Sequence, residues 1–151
     1  MSLKPFVTRL KTFNQSAGMV MHALKDSEES FNGFGEAYFS TVETNRTKGW
    51  KFHTKMTSNL VVPVGDVRFF LVSPSSFEIT PGAKIDAYMN VVIGESNFSR
   101  LTIPPGYWVA FQGAGSGSNL ILNVADMEHD PSEALNKNLS EITINGYELH
   151  E

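Results

Sequence analysis

The chain contains no long segment that keeps an apolar residue every three to four positions, so a helical bundle or an α/β layer fold has nothing to build on. What it has instead are short apolar or alternating runs, broken at close intervals by Gly, Pro, Asn and Ser. Ala17–Leu24, Glu36–Glu43, Trp50–Thr54, Asn59–Val64, Val67–Val72, Ile85–Ile93, Phe98–Ile103, Tyr107–Gln112 and Asn119–Val124 are of strand length and rich in Val, Ile, Phe, Tyr and Thr. In Glu36–Glu43 the period of two puts Tyr38, Ser40 and Val42 on one face and Ala37, Phe39 and Thr41 on the other. Many short strands at this spacing predict an all-β sandwich or barrel. Val64-Gly65-Asp66, Pro104-Pro105-Gly106 and the Gly/Ser segment Gly113–Ser118 read as turns between strands. The one helix expected is short, over Asp130–Leu135, where Asp130 supplies an N-cap and Pro131 stands at the first helical position.

At 151 residues the chain suits a single domain, 1–151, with its core between about 17 and 126 and a short C-terminal tail. It has no cysteine, which excludes disulfides, zinc–thiolate sites and a cysteine nucleophile. Its 12 basic and 16 acidic residues leave a net charge of −4 and no general attraction for nucleic acid or an anionic membrane. No apolar run approaches the roughly 18 residues a membrane span needs, and the first residues lack a signal-peptide core. These features predict a soluble, cytoplasmic protein. Gly113–Ser118 lacks the Gly-Lys-Ser/Thr ending of a phosphate loop, and no nucleophile elbow is present.

The segment richest in potential chemistry is Arg46-Thr47-Lys48-Gly49-Trp50-Lys51-Phe52-His53-Thr54-Lys55. As a strand it puts Lys51, His53 and Lys55 on one face and Trp50, Phe52 and Thr54 on the other. The aromatics can enter a core layer, and the cationic row then faces a cavity or solvent. A lysine in a dry pocket can serve as a base or stabilise an enolate, and histidine is the side chain best suited to move protons near neutral pH. The competing reading is a solvated edge strand whose lysines discourage pairing. Asn59 and Asn123 are polar residues inside apolar strands: they either line a sugar pocket or make structural hydrogen bonds. Of Tyr107 and Trp108, one should point inwards and the other outwards. Arg68 either pairs a phosphate or lies beside Asp66. His22 reads as structural, His129 as a loop histidine and His150 as disordered at the terminus.

Gly49-Trp50-Lys51-Phe52-His53 with Gly65, and Pro104-Pro105-Gly106-Tyr107-Trp108-Val109-Ala110-Phe111, resemble the two strand–turn–strand patches of the cupin superfamily. Within it, Lys48-Gly49-Trp50-Lys51, Ile103–Phe111, Asp126 and Asp130-Pro131 resemble the RmlC-like dTDP-4-dehydrorhamnose 3,5-epimerase family and its relatives that act on 4-keto sugar nucleotides. The resemblance implies a cupin jelly-roll β-barrel. It implies an isomerase, an epimerase or ketoisomerase for a dTDP-4-keto-6-deoxy sugar in polysaccharide biosynthesis, and a homodimer. It also implies that Lys51 and His53 face the barrel interior as catalytic groups, with Lys48, Lys55, Asn59, Tyr107 and Asn123 contacting the sugar nucleotide. The chain departs from the family where Lys51 stands at the histidine base and Leu122-Asn123-Val124 at the tyrosine acid. At the metal-ligand positions of other cupins it has Lys51, His53, Ser58 and Val109, so neither metal nor cofactor is expected. A non-catalytic barrel that binds a sugar or nucleotide is the alternative.

Overall fold

A computed structural model describes residues 3–78 and 84–151. Two five-stranded sheets carry the fold. The first has the order β1 (Phe6–Arg9), β10 (Ser99–Ile103), β6 (Ser58–Val64), β12 (Ser118–Ala125), β4 (Glu36–Glu43). The second has the order β13 (Ala134–Asn136), β5 (Thr47–His53), β11 (Trp108–Gly113), β7 (Asp66–Val72), β9 (Met89–Gly94). Every pairing in them is antiparallel. Two small pairs accompany them among the described residues: the hairpin β2 (Thr12–Gln15) with β3 (Gly18–Met21), and a parallel contact of β8 (Lys84–Ile85) with β14 (Thr143–Ile144). Two helical turns are present among the described residues, α1 (Ser75–Glu78) and a 3-10 turn at Leu139–Glu141. The expected jelly roll is present, and its sheets face one another without closing into a hydrogen-bonded barrel. Among the described residues no helix is long and apolar enough to cross a membrane.

Period-two alternation explains both layers of core. Val67, Phe69 and Leu71 of β7 point between the sheets, where they meet Val42, Val62, Leu101, Ile103 and Ile121. Phe70 and Val72 of the same strand point the other way, into a second core with Trp50, Trp108, Leu139, Ile142 and Ile144. Beyond residue 126 the chain therefore crosses the outer face of the second sheet and covers it. Each fully buried Phe, Leu or Ile in these layers contributes about 1.5–3 kcal/mol. His150, expected to be disordered, is tied to β5: its carbonyl accepts from the Thr47 amide at 2.5 Å.

Two sequence expectations fail for identifiable reasons. Asp130–Leu135 is not a helix. Asp130 Oδ1 accepts from the Ser132 amide at 2.9 Å and its hydroxyl at 2.7 Å, closing a turn, and Ala134–Asn136 then extends along β5. The residue types that cap a helix also stabilise turns. Ile85–Ile93 is not one strand: it divides into β8 and β9 around Asp86, Ala87 and Tyr88.

Candidate active site

A cavity of about 290 Å³ opens between the two sheets. Tyr38 of β4, Ser58 and Leu60 of β6, Ile103 of β10 and Asn123 of β12 line one side. Lys48, Trp50, Lys51 and His53 of β5 line the other with Val109 and Phe111 of β11. Tyr107, just past the Pro104–Gly106 turn, and Asn136 and Lys137 at the end of β13 complete the rim. The lining is mostly apolar with a few polar groups, the usual make-up of a small-molecule site.

The two lysines share this cavity because β5 is bulged. Lys51 pairs with Val109 and Lys48 with Phe111, so Gly49 and Trp50 together oppose Ala110. Without the extra residue, positions 48 and 51 would fall on opposite faces. Only glycine suits position 49: its φ is +146°, and a Cβ there would lie 2.7 Å from that of Ala110. Lys48 Nζ sits 5.7 Å from the centroid of the Phe111 ring and donates to the Thr41 carbonyl at 3.4 Å. Lys137 Nζ lies 5.2 Å from the centroid of Trp108. Lys48 and Lys51 thus make this wall of the cavity cationic.

His53 has a partner that sequence reasoning missed. Its Nδ1 lies 2.5 Å from Glu133 Oε1. The Glu133 side chain is 1 % exposed and that of His53 17 %. The other carboxylate oxygen, Oε2, accepts from the amides of Thr54, Lys55 and Met56 at 3.1, 3.1 and 3.3 Å. Burial by itself would push the Glu133 carboxyl up. The His53 hydrogen bond, the Lys55 and Met56 amides and the nearby imidazole outweigh it and hold the carboxyl below the ordinary value. An ionised carboxylate only accepts, so His53 Nδ1 carries the proton that binds it, and Nε2 is the nitrogen left for other work.

Of the residues anticipated from sequence, Lys48, Lys51, His53, Tyr107 and Asn123 come together in the cavity. Asn59 and Lys55 do not. Asn59 faces outwards from the first sheet, donating to the Ser30 carbonyl at 3.0 Å and accepting from Thr102 Oγ1 at 2.7 Å. It takes the structural alternative because the segment ending at Ser30 covers that face. Lys55 lies in the turn after β5, where the strand's alternation has ended. Trp108 points to the second core as Tyr107 points to the cavity. Tyr107 packs against Tyr88 with centroids 5.3 Å apart; burial first, then that neighbour, raises its phenol above the ordinary value. Arg68 donates to Asn90 Oδ1 at 2.6 Å, away from the cavity. Asp126 takes the Thr57 amide at 2.9 Å and the Asn32 amide group at 2.8 Å, a structural role.

Tyr38 is a second residue that went unnoticed. Its register partner on β12 is Asn123, whose Nδ2 donates to the Tyr38 hydroxyl at 3.0 Å. Among the described residues no three His, Asp or Glu side chains gather as a metal-ligating group.

No family model matches the sequence, and no curated protein matches it. Solved structures do. A dTDP-sugar isomerase from Desulfovibrio desulfuricans G20 is 28% identical with a TM-score of 0.80, covering 96% of this chain and 93% of that one. The sugar 3,4-ketoisomerase QdtA from Thermoanaerobacterium thermosaccharolyticum, solved with TDP, is 18% identical with a TM-score of 0.69 over 89% of both chains. The dTDP-4-dehydrorhamnose 3,5-epimerase of Sulfolobus tokodaii is 16% identical with a TM-score of 0.74, covering 93% of this chain and 81% of that one. With the two facing sheets, the cavity between them and these likenesses in hand, the chain has the RmlC-like cupin jelly-roll fold on which these sugar-nucleotide isomerases and epimerases are built.

Proposed function

We propose that the protein is a cofactor-independent carbohydrate isomerase, an epimerase or ketoisomerase that acts on a dTDP-4-keto-6-deoxy sugar nucleotide in polysaccharide biosynthesis. The observation that carries this reading is the His53–Glu133 pair on the cavity wall. Epimerisation or carbonyl transfer beside a ketone begins with removal of a proton from the neighbouring carbon. His53 Nε2 is the group oriented for that step, and Glu133 holds the ring and balances the imidazolium that forms. The proton returns from the same imidazole, or from another donor on the opposite face, to give the isomer.

The enolate needs positive charge close to its oxygen. Lys51, next on the same face of β5, supplies it. This divides between the two residues a task that sequence alone left shared. Lys48 suits the diphosphate, and Tyr107 offers a ring face to the sugar or base. A barrel that only binds sugar is less favoured, because binding does not require an imidazole oriented by a buried carboxylate. Two further expectations belong to this reading. One is a cytoplasmic location, in keeping with a cysteine-free chain. The other is a homodimer, supported by the hairpin β2–β3, whose Phe13, Met19 and Val20 are exposed; light scattering that finds a monomer at micromolar concentration removes it.

The deciding experiment is incubation with dTDP-4-keto-6-deoxyglucose in D₂O. Deuterium should enter at C3 or C5 in a His53-dependent manner. Tight binding with no exchange would leave the non-catalytic barrel as the better description.

A further inference from the structure

An asparagine side chain has one carbonyl acceptor and two N–H donors, and a buried one is expected to use both ends. Asn123 uses one. It is 4 % exposed and projects from β12 into the cavity. Nδ2 donates to the Tyr38 hydroxyl at 3.0 Å and to Ser58 Oγ at 3.5 Å, whereas Oδ1 is buried with no hydrogen-bond partner. The first of these bonds also sets the polarity of its neighbour. Because Tyr38 Oη accepts from Asn123, the phenol's own hydrogen is left to donate elsewhere. At the cavity wall an O–H donor and a buried carbonyl acceptor therefore stand side by side, both still unspent.

That pattern complements a carbonyl flanked by a hydroxyl. We infer that Tyr38 and Asn123 read an α-hydroxyketone: Tyr38 donates to the ketone oxygen, and Asn123 Oδ1 accepts from the hydroxyl on the adjoining carbon. This rests on the proposed function and narrows it. In a 4-keto-6-deoxy sugar the carbon on one side of the ketone carries the ring oxygen and the methyl group. Only C3 carries a neighbouring hydroxyl, so the C3–C4 edge of the sugar is the edge that meets β4 and β12. Asn123 is then a specificity-determining residue.

The test is calorimetric binding of dTDP-4-keto-6-deoxyglucose and of its 3-deoxy counterpart. The unaltered protein should prefer the hydroxylated sugar by roughly 10- to 100-fold, because the 3-deoxy ligand leaves a buried acceptor unpaired. Asn123→Leu should bring the ratio near one while both sugars still bind. Asn123→Asp should keep the preference, since a carboxylate oxygen still accepts. If Asn123→Leu does not fold, Asn123→Ala gives the same readout. An undiminished preference in the Leu or Ala variant overturns the inference and leaves the proposed function standing. Failure of both sugars to bind the unaltered protein removes the proposed function, and the inference with it.

Discussion

Two pairs of a nitrogen base with a carboxylate are anchored on strands of opposite sheets, and they differ in which partner is dry. In His53–Glu133 the acid side chain is 1 % exposed and the base 17 %. In Arg100–Glu28 the base is 1 % exposed and the acid 30 %. Arg100 of β10 also donates to the Ala23 carbonyl at 2.6 Å and to Ser30 Oγ at 2.7 Å, fastening the segment that covers the outer face of the first sheet. A guanidinium does not give up its proton, so this pair can only hold structure together. An imidazole can, and its free nitrogen belongs to a residue on the cavity wall. The same kind of contact thus serves as a rivet on one sheet and, in the proposed function, as a proton-handling group on the other.

The contrast can be broken at either pair, and the largest effect should come at His53. His53→Asn should slow deuterium exchange by about 10³–10⁴-fold with little change in thermal stability, since it removes the group that moves the proton. Glu133→Gln should slow it by about 10²–10³-fold, because an amide oxygen can still accept from the ring yet no longer balances its charge. At the other pair, Glu28→Ala should cost about 3 kcal/mol of stability by stranding a buried guanidinium, while exchange per folded molecule stays within about twofold. A Glu28 variant that abolished exchange at full stability would erase the distinction. The smallest effect is in acid. Glu133 titrates below its ordinary value of 4.5, so its stabilising contribution is present above that pH and is lost as pH falls through the lower folded value. Chemical denaturation below pH 4.5 should show a shallower loss in Glu133→Gln than in the unaltered protein.

The strands were legible because period two is a local signal: β4 appears at its expected limits, and β6, β7, β10, β11 and β12 lie within one residue of theirs at each end. The shorter polar strands were not. Thr12–Gln15 has no apolar alternation to mark it and exists only through its pairing with β3. The site was half legible for a related reason. Lys51 and His53 lie on one strand and could be seen together. Glu133 is one of 16 acidic residues, and nothing near it in sequence ties it to position 53. Only the pairing of Ala134 with His53 across two distant strands brings them together. Tyr38 was assigned to the correct face of β4, but its link to Asn123 depends on the register with β12. Lys48 reaches the cavity through a bulge, which a strict alternation cannot anticipate.

The distance in sequence between His53 and Glu133 also orders events in time. The base is made early in the chain and its acid some 80 residues later, delivered by the segment that crosses the second sheet. A nascent or truncated chain that has formed its facing sheets still lacks an oriented imidazole. Both tryptophans of the protein, Trp50 and Trp108, lie in the layer that this same segment closes. Their fluorescence is therefore a built-in clock: during refolding, proton-transfer activity should return with the tryptophan signal and not before it.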